Sequence, residues 1–213
     1  MHKFVPEDLL CYAVTDSAWL GGRTLPECVR QAIEGGCTFV QLREKDAGQE
    51  RIVALAREIK PICEAAGVPF VIDDDVQAAR EVGCDGVHVG QSDEGCASAR
   101  RTLGPDAIIG VSAQTVAEAQ AAEAAGADYL GVGALFGTTT KLDAGDLLTA
   151  GRFAEICRSV SIPVVCIGGL NAGNLPRIKG LGASGAAVVS AIFAADDCGA
   201  AAAELRAVCD TVF

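Results

Sequence analysis

A closed (β/α)8 barrel is the fold this sequence predicts, on three observations. A helical run, a glycine and a short β-rich run recur along the chain, as in "AIEGGCTFVQL", "CEAAGVPFVID", "EVGCDGVHV", "EAAGADYLGV" and "GLGASGAAVVS". The β-rich runs are nearly continuously apolar, the pattern of strands covered on both faces. Polar residues gather where each strand ends, whereas the helix-to-strand junctions are mostly Gly, Ala, Cys and Pro.

Taken in order, strands are predicted near Cys11–Thr15, Phe39–Arg43, Phe70–Asp73, Gly86–Val89, Ile108–Ser112, Tyr129–Gly133, Val164–Ile167 and Ala186–Ser190. Helices are predicted near Leu25–Glu34, Gln49–Ala66, Val76–Val82, Gly95–Leu103, Val116–Ala125, Leu147–Ser159, Leu175–Leu181 and Ala200–Thr211. The glycine after a helix supplies the left-handed cap that turns the chain back into a strand. The 213 residues leave about 27 for each of eight units, enough for a strand, a helix and tight loops. Eight such units with right-handed crossovers close into a barrel. An open doubly wound sheet is the rival, but no G-x-G-x-x-G follows a strand. The expectation is one domain, residues 1–213, without a linker.

Composition narrows the function classes. Half of the residues are hydrophobic and 21% charged, which excludes disorder. A net charge of −11 without a basic stripe argues against nucleic acid. No apolar stretch approaches the ~18 residues of a membrane span. The ten cysteines include no Cys-x-x-Cys pair, and with only His2 and His88 as histidines no zinc spacing exists. Cys11 and Cys166 read as small buried hydrophobes. Together these point to a reduced, soluble protein of the cytoplasm. Neither nucleic acid nor membrane is an expected partner, and a homo-oligomer is compatible with the sequence.

In a barrel of this class the active site lies at the C-terminal ends of the strands. "QLREK" puts Gln41, Arg43 and Lys45 at alternate positions, so their side chains leave the strand on one side, suited to a phosphate or pyrophosphate. The ordinary alternative is a solvated loop with Glu44 and Asp46 pairing locally. "VIDDDV" ends a strand in three carboxylates, Asp73, Asp74 and Asp75, which repel unless a cation is supplied. Mg²⁺ suits that need, with Asp74 and Asp93 on neighbouring strand ends as its carboxylates. The alternative for such aspartates is helix capping. "GTTTK" offers Thr138, Thr139, Thr140 and Lys141 to anionic oxygens, or Lys141 as a Schiff-base nucleophile. Gly168-Gly169 after the seventh strand and Val189-Ser190 at the eighth fit a backbone phosphate site, unless the glycines only form a turn. His88 reads as a satisfied strand-end histidine, and Trp19 and the remaining aromatics as packing. These groups provide for two anionic moieties: Arg43, Lys45, Lys141 and a metal for a pyrophosphate, and Thr138, Thr140, Gly169 and Ser190 for a monophosphate. Either a transferase joining two phosphorylated molecules or an isomerase with one large substrate satisfies that arrangement.

Nearly the whole chain resembles the thiamin phosphate synthase family, through "YAVTD", "FVQLREK", "VIDDDV", "DGVHVGQSD", "IGVSAQT", "ADYLGVGALFGTTTK", "VVCIGGL" and "VVSAIF" in order. The resemblance implies a (β/α)8 barrel and an Mg²⁺-dependent transferase of thiamine biosynthesis. Such an enzyme condenses 4-amino-5-hydroxymethyl-2-methylpyrimidine diphosphate with a thiazole phosphate, giving thiamin phosphate and pyrophosphate. It implies Gln41, Arg43, Lys45 and Asp73 at the pyrimidine diphosphate, Asp74 and Asp93 on the metal, and Ser112 and Lys141 donating to the leaving group. Arg43, Lys45, Ser112 and Lys141 form the catalytic set, while Thr138, Thr139, Thr140, Gly169, Val189 and Ser190 hold the thiazole phosphate. The implied mechanism is dissociative and needs no obligatory general base.

Three positions depart from the family pattern: Asp73 replaces an Asn, Gln114 a His, and Ala134 a Pro. The alternatives are a thiazole tautomerase-like isomerase and a non-catalytic barrel that binds thiamin phosphate. The first has no need of two metal carboxylates or T-x-T-K, and its histidine would align with Gln114. The second has little use for a pyrophosphate site.

Overall fold

Short apolar runs separated by capped amphipathic helices fold here as the alternation predicts. The structure, a computed structural model, describes residues 3–45, 47–90, 95–137 and 147–213. Eight parallel strands close in sequence order: β1 (Cys11–Val14), β2 (Phe39–Leu42), β3 (Phe70–Asp73), β4 (Gly86–Val89), β5 (Ile108–Ala113), β6 (Tyr129–Val132), β7 (Val164–Ile167) and β8 (Gly185–Val188). The barrel shuts where β1 pairs with β8, Tyr12 opposite Ala187.

Around it lie α1 (Leu25–Glu34), α2 (Gln49–Ala66), α3 (Val76–Val82), α4 (Cys96–Leu103), α5 (Val116–Ala124), α6 (Ala150–Arg158), α7 (Ser190–Phe193) and α8 (Cys198–Val212). Their starts are local chemistry. Thr24 and Thr115 form capping boxes with Glu27 and Glu118, and the Asp75, Thr149 and Asp197 side chains accept from the first turns of α3, α6 and α8. Gly67 and Gly83 end α2 and α3 in the left-handed region at φ 68° and 65°.

Two expectations are corrected. The helix predicted over Leu175–Leu181 is a single 3-10 turn, Leu175–Ile178, because the backbone leaves the helical region at Lys179 (φ −56°, ψ 130°) and Gly180 adopts φ 77°. The eighth strand ends at Val188, and Ser190 instead opens α7.

The period of two along each strand divides the apolar residues between two cores. Cys11, Ala13, Val40, Leu42, Phe70, Ile72, Ile109 and Cys166 face the helices. Tyr12, Val14, Phe39, Val71, Ile108, Tyr129, Val165 and Ala187 fill the lumen, with Phe4 and Leu9 packed in the same cluster. The lumen is therefore a packed plug, and the functional groups sit at the mouth above it. All ten cysteines are free, and every one except the half-buried Cys157 is buried. Among the described residues no helix is long and apolar enough to cross a membrane.

Candidate active site at the C-terminal mouth of the barrel

The inward positions that carry the lumen plug change to polar residues as each strand reaches its C-terminal end. On β2 the inward series is Phe39, Gln41 and then Arg43; on β3 it is Val71 and then Asp73; on β5 it ends at Ser112. Register sets these beside one another, with Asp73 opposite His88 and Ser112 opposite Gly131.

Gln41, Arg43 and Lys45 converge on one carboxylate. The buried Gln41 donates from Nε2 to Asp73 Oδ1 at 2.6 Å. Arg43 Nε lies 3.7 Å and Lys45 Nζ 3.8 Å from Asp73 Oδ2. Arg43 also faces Asp16 at 3.5 Å, and Lys45 lies 2.6 Å from Asp74 Oδ2. Burial pulls the Lys45 ammonium down, but the Asp74 hydrogen bond and the charges of Asp73 and Asp74 outweigh it and hold it above its usual range. The solvated-loop alternative is answered in part: Glu44 accepts from the Ser17 backbone N–H at 3.2 Å, and burial raises its carboxyl. Asp46 lies outside the described residues.

The three consecutive aspartates separate by role. Asp75 caps α3, accepting from the Ala78 N–H at 2.8 Å. Asp74 stands in the left-handed region at φ 60°, where a non-glycine residue is strained, and its N–H donates to His88 O at 2.8 Å. That backbone turns its carboxylate to the rim, away from the capping position. Asp73 points inward to the Gln41, Arg43 and Lys45 groups.

At the described mouth Asp16 and Asp73 lie beside Arg43, and Asp73 and Asp74 beside Lys45. Oxygen donors such as the Asp74 carboxylate suit a hard cation like Mg²⁺. Among the described residues no group of three or more His, Cys, Asp or Glu side chains could hold a metal by itself. The second expected ligand, Asp93, and the expected anion-binding residues Thr138, Thr139, Thr140 and Lys141 lie outside the described residues.

His88 has partners that sequence reasoning did not name. Its Nδ1 lies 3.0 Å from Tyr129 OH and its Nε2 3.0 Å from Ser112 Oγ. Tyr129 OH meets Tyr12 OH at 2.8 Å, and Tyr12 donates to Gln41 Oε1 at 2.9 Å. Both phenols are fully enclosed, and burial pushes each up, so both stay protonated. The reading of these aromatics as packing alone is corrected: their rings fill the lumen and their hydroxyls join the mouth's polar layer. The signal was available, because a buried tyrosine on an inward strand position needs a partner for its hydroxyl.

Two compartments open from this mouth. A polar one of about 360 Å³ is lined by Gln41, Arg43, Lys45, Asp73, Asp74 and His88. A second, of about 120 Å³, is lined by Gly133, Ala134, Gly168, Gly169, Val189 and Ser190. Arg43 and Ser112 border both. The expected residues Gly169, Val189 and Ser190 thus come together on the side opposite Asp74. Gly168 and Gly169 are more than a turn. They adopt φ 98° and 63°, and a Cβ on them would meet Ala134 Cβ at 2.4 Å and Gly137 O at 2.3 Å. The loop after β6 therefore packs directly on the loop after β7, with Phe136 N–H donating to Gly168 O at 3.1 Å. Asn174, which sequence reasoning missed, donates from Nδ2 to Gly169 O at 2.8 Å and pins the turn. The Gly133–Ala134 peptide is cis.

Known proteins share this fold and much of this sequence. The family model described as thiamine monophosphate synthase matches residues 11–192. A curated thiamine-phosphate synthase of Ruminiclostridium cellulolyticum is 48% identical over 198 residues, covering 93% of this chain and 94% of that protein. One of Methanocella arvoryzae is 45% identical, covering 92% and 93%. The solved thiamine phosphate pyrophosphorylase of Pyrococcus furiosus superposes with a TM-score of 0.89 at 35% identity, covering 98% of each chain. The chain belongs to the thiamine monophosphate synthase family.

Proposed function

We propose that this mouth condenses 4-amino-5-hydroxymethyl-2-methylpyrimidine diphosphate with 4-methyl-5-(2-hydroxyethyl)thiazole phosphate, or with its carboxylate and loss of CO2, releasing pyrophosphate and forming thiamin phosphate. Membership of the family carries the reaction class, and the meeting of Gln41, Arg43 and Lys45 at Asp73 supports its location. The tautomerase and product-binder readings have no comparable support: the curated relatives above are named synthases, and Gln114 stands where the tautomerase would need its histidine.

In this reading Arg43, Lys45 and Lys141 meet the diphosphate, Gln41 and Asp73 the pyrimidine, and Ser112 lines the space between the two compartments. Gly169, Val189, Ser190 and Thr138 to Thr140 take the thiazole phosphate. Asp74 and Asp93 would hold Mg²⁺, which when bound adds positive charge at the departing pyrophosphate. The C–O bond to pyrophosphate breaks with its electron pair leaving on oxygen, the aminopyrimidine stabilises the methylene cation, and the thiazole nitrogen then forms the new C–N bond. The protein's work is electrostatic stabilisation of a leaving group and alignment of two reactants. Cations bound to carboxylates before the substrate arrives are already oriented and exchange one set of anionic oxygens for another. The ten free thiols support a reducing, cytoplasmic location.

The test is pyrophosphate release with both substrates and Mg²⁺, with and without EDTA. Release that requires both substrates, stops with EDTA and equals thiamin phosphate formed is the expected result. Binding of thiamin phosphate without turnover would favour the product-binder reading.

A further inference from the structure

The hydrogen bonds at the base of the mouth form one continuous series. Gln41 Nε2 donates to Asp73 Oδ1 at 2.6 Å, and Gln41 Oε1 accepts from Tyr12 OH at 2.9 Å. Tyr12 OH and Tyr129 OH are 2.8 Å apart, Tyr129 OH and His88 Nδ1 3.0 Å, and His88 Nε2 and Ser112 Oγ 3.0 Å. The barrel reserves space for it. A Cβ at Gly110 would lie 2.2 Å from Tyr129 Cζ and 2.5 Å from His88 Nδ1, and one at Gly131 would lie 3.0 Å from His88 Cε1.

Proton counting gives the series a direction. A carboxylate only accepts, so at 2.6 Å from Asp73 Oδ1 the Gln41 amide must present its nitrogen and turn its oxygen to Tyr12. Tyr12 has one hydroxyl proton and gives it to Gln41. The Tyr12–Tyr129 contact must then use the proton of Tyr129. The Tyr129–His88 contact in turn must use a proton on His88 Nδ1. In the neutral ring Nε2 is left as an acceptor, and the contact with Ser112 uses the serine proton.

We propose that Asp73 sets the direction of this series, so that it fixes His88 in its Nδ1–H tautomer and makes Ser112 meet the substrate as an acceptor. His88 and Tyr129 are thus positioning residues, acting on substrate through Ser112. This rests on the synthase reading for the identity of the substrate, and it changes the role of Ser112 within it. An acceptor at this position pairs with an N–H of the aminopyrimidine better than with a pyrophosphate oxygen, the opposite of the donor role the resemblance implies. Leaving-group donation then falls to Arg43, Lys45 and Lys141. An amide at position 73 could donate to Gln41 Oε1, free that side chain to turn over, and allow every bond of the series to run the other way.

The test is long-range 1H–15N correlation NMR on the full-length protein, at a pH where the His88 ring is neutral. The chain has only His2 and His88, so a His2→Gln variant assigns the spectrum. The expected wild-type result is a protonated Nδ1 and an unprotonated Nε2 for His88, with Nε2–H signal gaining population in Asp73→Asn. A wild-type His88 carrying its proton on Nε2, or an Asp73→Asn spectrum indistinguishable from wild type, overturns the proposal. Neither readout uses turnover. Failure of the pyrophosphate assay would remove the synthase reading and leave the tautomer result standing, and the converse holds as well.

Discussion

Lys45 Nζ lies 2.6 Å from Asp74 Oδ2, and Asp74 holds that position from a left-handed backbone at φ 60°. Strain at a rim residue and a preformed ion pair set one carboxylate and one cation side by side, at the point proposed for the diphosphate and its counter-ion. Asp74→Asn keeps a side chain that tolerates this backbone and removes the charge. Its expected effect is a loss of Mg²⁺-dependent turnover of about 100-fold or more, with an unchanged circular dichroism spectrum. Asp74→Ala adds about 1–2 kcal/mol of backbone strain and should also lower Tm. Full activity of Asp74→Asn at limiting Mg²⁺ would remove Asp74 from the metal site.

Arg43 borders both compartments, and its ion pairs among the described residues, with Asp16 and Asp73, lie on the side proposed for the diphosphate. Hydrogen bonds to charged partners contribute about 1.5–3 kcal/mol, so Arg43→Ala should weaken pyrimidine diphosphate binding by roughly 10- to 100-fold. Thiazole phosphate binding should change far less. Calorimetric titration of each substrate distinguishes these, and an equal loss of both would contradict the division into two subsites.

Gly110 gives up a side chain so that Tyr129 and His88 can occupy the lumen, since an added Cβ would sit 2.4 Å from the Tyr129 hydroxyl. Gly110→Ala must move a fully buried ring, an overpacking that costs about 1–3 kcal/mol. For a chain of this size the expected Tm loss is about 2–4 °C for each kcal/mol. An equally spaced control is Gly48→Ala, where nothing lies within 4 Å of the added carbon. A Gly110→Ala protein as stable as Gly48→Ala would show that the lumen repacks freely.

Glu123, at the end of α5, accepts from Ser161 N–H at 2.8 Å, Ser161 Oγ at 2.5 Å and Ile162 N–H at 3.2 Å, tying that helix to the entry of β7. The Ser161 hydroxyl bond, aided by the backbone donors, lowers its carboxyl below the ordinary value of 4.5. A folded-state value below the unfolded one means stability present in full above pH 4.5 and lost as pH falls through the lowered value. Glu123→Gln should therefore reduce Tm at pH 7, with the gap to wild type closing as pH drops below 4.5. A gap that stays constant down to pH 3 would assign the effect to packing instead of charge.

Much of the architecture was legible in one dimension because its causes are local. Strand and helix alternate by hydrophobic period, and glycines at positions such as Gly67 and Gly83 punctuate them through a backbone conformation few other residues adopt. The fold class then placed the polar strand ends Gln41, Arg43, Asp73, Ser112, Gly169 and Ser190 at one mouth without any knowledge of contacts. Local signals also misled: "LPRIKGL" looked helical, but an extended Lys179 and a left-handed Gly180 leave only a 3-10 turn.

The tertiary structure decided partners. Tyr12 and Tyr129 are 117 residues apart in sequence and meet because β1 and β6 both direct an inward side chain into the same lumen. The division of labour among Asp73, Asp74 and Asp75 also came from three dimensions. Capping, backbone twist and inward orientation distinguish three residues that in sequence are the same letter repeated. Hydrogen-bond direction is the extreme case, for it depends on counting protons across strands β1 to β6, and that count exists only once the barrel has closed.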